Sequence, residues 1–144
     1  MADTSLGFRP RFRVSGAPIT YKLYTFKDTE TLTKGDMVNL ESGEIDLAAT
    51  ADTALCGIVA ETKAGTDSTT TIMVAGANDP DLVFAVYDAN ARVEGATLDI
   101  AGATGAQTIA TSSNKEFVVF QTCTAAEETL LRYNIGKAAG NVAL

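Results

Sequence analysis

The chain contains no histidine. That absence removes Ser-His-Asp and Cys-His activation of a nucleophile, imidazole acid–base work and histidine metal sites together. Tryptophan is missing too, and four tyrosines and six phenylalanines are the only aromatics. A core must then be built from small and β-branched side chains, which suits thin β layers better than a thick helical bundle. Cysteine is limited to Cys56 and Cys123, too few for a disulfide framework and without metal-ligand spacing. Both are expected as buried free thiols on strands, with a single bridge as the alternative. No apolar run approaches about eighteen residues, so no transmembrane helix is expected, and no secretory signal is visible. Phosphate-cradling glycine motifs are absent. The carboxylates are dispersed among turns. Asn78, Asp79 and Asp81 could suggest a calcium loop, but they lack its alternating spacing and read as a plain turn. The expectation is a chain without catalytic activity, cofactor or metal.

What is present is small and β-prone. At 144 residues the chain is most simply one domain. Ala, Thr and Gly supply more than a third of it. Charge is unevenly placed. Residues 1–27 hold Arg9, Arg11, Arg13, Lys22 and Lys27 against Asp3 alone, a net +4, whereas residues 28–144 carry −11. The acidic body repels nucleic acid and favours solubility, and the basic arm suits a negatively charged partner surface. We therefore divide the chain into an extended arm with a first strand (residues 1–27) and a single β domain (residues 28–144).

Within the arm, Leu6-Gly7-Phe8-Arg9-Pro10-Arg11-Phe12-Arg13-Val14 alternates apolar residues with arginines. In an extended chain Phe8, Phe12 and Val14 would share one face and Arg9, Arg11 and Arg13 the other. Docking onto another protein is the leading expectation, with Phe8 and Phe12 as apolar anchors and the three arginines as ion-pairing partners. An edge strand of the chain's own domain and a nucleic-acid arm are the alternatives.

The stretch 32–61 organises the rest. Lys34-Gly35-Asp36 reads as a turn launching a strand over 37–40. A glycine-containing turn at 41–44 returns the chain over 45–47, and 55–61 forms an interior third strand. Further strands are expected over 19–26, 70–75, 82–87, 97–100, 108–111, 117–122 and 130–135. A capping box at Thr124–Glu127 suggests one helical turn. Strands this short and this closely spaced predict an all-β barrel or sandwich. One echo is visible: Gly35-x-x-Val38-x-Leu40 recurs as Gly95-x-x-Leu98-x-Ile100, and residues 57–60 meet 117–120 at the same offset. Duplication of a hairpin-plus-strand unit would produce it, and so would common turn rules.

The Leu6–Pro10 opening followed by Ser15-Gly16-Ala17-Pro18 resembles the N-terminal arm of small structural proteins of tailed-phage heads. Lys34–Leu40 followed by Ala54–Ala60 is similar to the core pattern of phage capsid decoration, or cement, proteins. The resemblance implies a small β-barrel-like domain on the outer surface of the virion capsid that clamps neighbouring capsomers, often as a homotrimer. Its partner would be the major capsid protein, with no nucleic acid, membrane or small-molecule substrate, and it would pass through the host cytoplasm during assembly. Two other classes compete. A lipoyl-type hammerhead needs a lysine at a hairpin tip, and residues 41–44 have none. A domain of a phage tail or host-adhesion protein is the stronger alternative, although the lack of tryptophan argues against sugar stacking.

Overall fold

A computed structural model of the chain describes residues 7–27, 30–49, 52, 54–65, 70–77, 79, 81–88, 90–102, 104–111, 115–124 and 127–134. Thirteen strands occur among them: β1 (Arg9–Arg13), β2 (Tyr21–Phe26), β3 (Thr31–Leu32), β4 (Met37–Glu41), β5 (Glu44–Leu47), β6 (Leu55–Val59), β7 (Lys63–Ala64), β8 (Thr71–Ala75), β9 (Leu82–Asp88), β10 (Thr97–Ala101), β11 (Thr108–Thr111), β12 (Phe117–Val119) and β13 (Glu127–Tyr133). The all-β expectation holds: the described residues contain no helix. The helical turn read into 124–127 is corrected, because Glu127 opens β13 and pairs with Asp88. The neighbouring β9 ladder overrides the local capping signal. Residues 125 and 126, residues 66–69 and the expected strand end at 135 lie outside the described residues.

The hairpin at 37–47 forms as its residues dictate. Glu41 faces Glu44 across a two-residue turn, in which Ser42 and Gly43 have φ of 52° and 81°. Two positive φ values give the turn whose twist matches the flanking strands. The hairpin then closes with β2, β6 and β8 into a five-stranded barrel, in the order β2-β5-β4-β6-β8. Tyr24, Phe26, Val38, Ile45, Cys56, Val59, Ile72 and Val74 fill it. A register shift between Val38 and Asn39 against β6 lets Cys56 and Val59 face inward while Leu55 and Ile58 face outward. All five residues of β6 are consequently buried.

The other large sheet runs β1-β9-β13-β12-β10-β11. Its inner face supplies Leu82, Phe84, Val86, Leu98, Ile100, Phe117, Val119, Leu131 and Tyr133 to a second core, which meets Met37, Leu55 and Ile58 on the barrel wall. Buried Gln107 spans the two layers. Its side-chain amide donates to the carbonyls of Met37 and Ala48, and its oxygen accepts the Met37 N–H. Buried Asp36 accepts the N–H groups of Thr33 and Gly105, both at 2.8 Å, and the Thr104 hydroxyl.

The echo in the sequence corresponds to a structural repeat. Reading β5-β4-β6-β8-β2 beside β11-β10-β12-β13-β9 gives one strand order with one chain order. Hydrogen bonds repeat sixty positions apart. Gly35 N–H donates to the Val59 carbonyl and Gly95 N–H to that of Val119, both at 3.0 Å. Lys34 N–H reaches the Thr62 hydroxyl as Glu94 N–H reaches that of Thr122. The pairing Leu32–Lys63 is matched by Arg92–Cys123. Turn rules explain the glycines but not a shared strand order, so duplication of the unit accounts for the whole set. The repeats differ at one seam. β2 pairs with β5 and closes the first barrel, whereas β9 pairs with β1 instead of β11.

Candidate partner-binding surface

The arm is an edge strand of its own domain. β1 runs antiparallel to β9, from Arg9 opposite Ala85 to Arg13 opposite Leu82. Gly7 N–H donates to the Gln107 carbonyl, and Phe8 N–H to that of Gly35 at 2.7 Å. Phe8 is 1% exposed. Its ring meets those of Phe84 and Phe117 edge-on, with centroids 5.7 and 5.4 Å away. This geometry is the favourable one for aromatic pairs. Phe8 is therefore a core residue, and no surface of its ring is left for a partner.

The expected alternation of the arm is corrected as well. The register shifts between Pro10 and Phe12, which stand opposite Phe84 and Val83. The extra residue, Arg11, flips everything after it to the other face. Phe12 thus lies on the outer face, away from Phe8. It remains 41% exposed and makes one edge contact, 5.9 Å to Phe120.

The three arginines are held within the molecule. Arg9 Nε lies 3.1 Å from the Glu128 carboxylate, and Arg11 pairs with the same group. Arg13 Nε lies 2.7 Å from Asp79. Asp81 accepts the Ser15 N–H at 3.0 Å. That bond, followed by the hydroxyl of Ser15 and the charges of Arg13 and Arg132, holds the Asp81 carboxyl below its ordinary value, with desolvation opposing. The turn at 76–81 is thereby a latch for the arm, although Asn78 and Pro80 lie outside the described residues. The boundary drawn at residue 27 follows no structural division, since β2 belongs to the barrel and β1 to the other sheet.

Sequence reasoning missed the exposed partner of this strand. In β2, Tyr24 and Phe26 point into the barrel while Tyr21 and Leu23 are 58% and 54% exposed. A strand apolar at both odd and even positions was the available signal, because only one face of a barrel stave is inside. Tyr21 also lines a groove of about 490 Å³ with Arg9, Pro10, Lys34, Ile58 and Ala75. Of the five large apolar residues left exposed among those described, Phe12, Val14, Tyr21 and Leu23 fall within one short segment, and Val93 stands apart.

Other buried polar groups bond within the chain. Among the described residues no cluster of three or more acidic or cysteine side chains is placed to hold a metal ion. Buried Glu116 accepts the Ile100 N–H at 3.1 Å, and Asp99 that of Lys115 at 2.7 Å. The Tyr133 hydroxyl donates to the Met37 sulfur at 3.5 Å, and burial pushes its phenol well above the ordinary tyrosine range. Neither cysteine is in a disulfide; Cys56 is buried as expected, but Cys123 is only half-buried, beside the Thr129 hydroxyl. No helix among the described residues is long and apolar enough to cross a membrane. No family model matches the chain, and no curated protein matches it.

Proposed function

We propose that the chain is a non-enzymatic structural protein of a tailed-phage virion. It binds the outer surface of the capsid shell, as a homotrimer, and stabilises the shell by bridging neighbouring capsomers of the major capsid protein. The observation that carries this reading is the gathering of exposed apolar side chains in one N-terminal segment, Phe12, Val14, Tyr21 and Leu23. Exposed apolar side chains on and just after a basic strand of an otherwise acidic body suit a large protein partner. The arginines orient the segment from within, through Glu128 and Asp79, so the apolar residues supply most of the contact energy.

Binding of the purified protein to undecorated heads tests the reading. Covering three half-exposed side chains contributes about 1 kcal/mol each. The triple variant Phe12→Ser/Tyr21→Ser/Leu23→Ser is therefore expected to bind about 100-fold more weakly. Equal binding by wild type and variant would place the contact elsewhere. If the wild-type protein fails to bind heads at all, the capsid reading is wrong and a tail or host-adhesion domain replaces it.

A further inference from the structure

We propose that the chain meets a second copy of itself head to tail, the turn carrying Val93 and Glu94 of one copy entering the groove beside Lys34 of the next. The inference rests on the homotrimer reading and deepens it by assigning the two surfaces that meet. A groove of about 490 Å³ lies between β1 and the barrel wall. Tyr21, Ala75 and Ile58 stand side by side along it on three neighbouring strands. Its charged lining residues are Arg9 and Lys34, and no described carboxylate lines it. Arg9 is already paired with Glu128. Lys34 is exposed and has no ion pair among the described residues, so it is the cation left to a partner.

The complement stands on the same chain, sixty positions on. Glu94 takes the place of Lys34 in the second repeat, with the same backbone bond to a threonine hydroxyl. It too is exposed and without an ion pair among the described residues. Beside it Val93, at 67%, is the most exposed large apolar residue described. The two turns differ in shape as well as in sign. Asp36 is buried, and a Cβ on Gly35 would stand 3.2 Å from the Phe8 oxygen. In the second repeat Val93, Glu94, Gly95 and Ala96 are all exposed, and a Cβ on Gly95 meets nothing within 4 Å among the described residues. The first turn borders a hollow, and the second projects.

A projecting apolar residue with a carboxylate next to it calls for a surface that is both apolar and cationic. The Lys34 groove has that character. Val93 of one copy covers Tyr21 and the apolar floor of the next, and Glu94 pairs with Lys34. Groove and turn belong to different repeats, so the contact is heterologous: each copy offers one turn and receives one, and a rotation that closes gives a ring. Opposite charges at equivalent positions also oppose the wrong pairings, turn against turn or groove against groove.

Sedimentation equilibrium of the full chain at low salt, from about 10 μM to about 1 mM, spans the range expected of so small a contact. The wild-type protein is expected to self-associate. Lys34→Glu and Glu94→Lys each set like charges against one another and should weaken association about tenfold, less at high salt. Val93→Ser should weaken it about fivefold at any salt. The double variant Lys34→Glu/Glu94→Lys restores an opposite pair and should return to within about twofold of wild type. That recovery separates a charge contact from a loss of folding. The contact is overturned if wild type stays monomeric throughout, if the single reversals associate as wild type does, or if the double variant is as weak as the singles. It is also overturned if the reversals spare self-association but weaken binding to undecorated heads, which makes the capsid protein the occupant. The mass of the associated species judges the trimer separately: another size with the same pattern across the variants supports the contact and refutes the trimer.

Discussion

Replacing Phe8 by alanine separates a core residue from a docking residue. The side chain is 1% exposed and sits between the rings of Phe84 and Phe117, at 5.7 and 5.4 Å. Its removal loses the transfer energy of a whole phenyl group, and leaves a cavity the neighbouring rings cannot close. Core substitutions of this kind cost about 3–5 kcal/mol. Phe12 is 41% exposed with a single ring contact, so Phe12→Ala should cost about 1 kcal/mol. In urea, with a slope of about 2 kcal/mol per molar, the Phe8 variant should unfold about 2 M earlier than wild type and the Phe12 variant about 0.5 M earlier. Fluorescence of the tyrosines and far-ultraviolet circular dichroism would follow both transitions. Deleting residues 1–14 removes β1 together with Phe8 and Phe12, and should be at least as damaging as Phe8→Ala. Equal midpoints for Phe8→Ala and Phe12→Ala would refute the packing described, and would return Phe8 to the list of residues available to a partner.

Two further outcomes follow from the arm latch and the barrel wall. The Asp81 carboxyl is held below 3.8 chiefly by the Ser15 N–H, with Arg13 adding to it. A depressed folded value means the stabilisation is fully present above the unfolded value and is lost as pH falls through the folded one. Stability measured from pH 5 down to pH 2 should therefore show a component that Asp81→Asn abolishes, and an unchanged profile in that variant would dismiss the latch. Gly57 faces the barrel interior, where a Cβ would stand 2.6 Å from the Ala75 oxygen and 2.7 Å from Val74 Cγ1. Overpacking a stave in this way costs about 1–3 kcal/mol, so Gly57→Ala should lower the unfolding midpoint clearly; Gly16, at a φ of 82°, lies in open space, so Gly16→Ser should cost only its backbone strain, about 1 kcal/mol.

Much of this molecule is written locally in its sequence. Turn glycines and short β-prone or apolar runs mark the strands at 37–41, 44–47, 55–59, 82–88 and 97–101 because each depends on side chains only a few residues apart. The missing histidines narrow the chemistry with no structure needed, and the glycine-spaced echo of Gly35 and Gly95 announces the repeat. What the sequence leaves open is where each strand goes. The alternation of Phe8 and Phe12 implies one face, and a single extra residue at Arg11 puts them on two, since a one-residue slip reverses every side chain after it. Phe8 meets Phe84 and Phe117 only after the chain has folded back across most of its length, so no local window contains the contact that buries it. The two copies of the repeat share their turns and ladders, but only the tertiary structure decides that residues 7 and 8 run along the Gly35 turn of the first copy, whereas the Gly95 turn of the second has no such neighbour among the described residues. The reason is that one N-terminal segment exists for two equivalent places, and the pairing of β1 with β9 commits it to one of them.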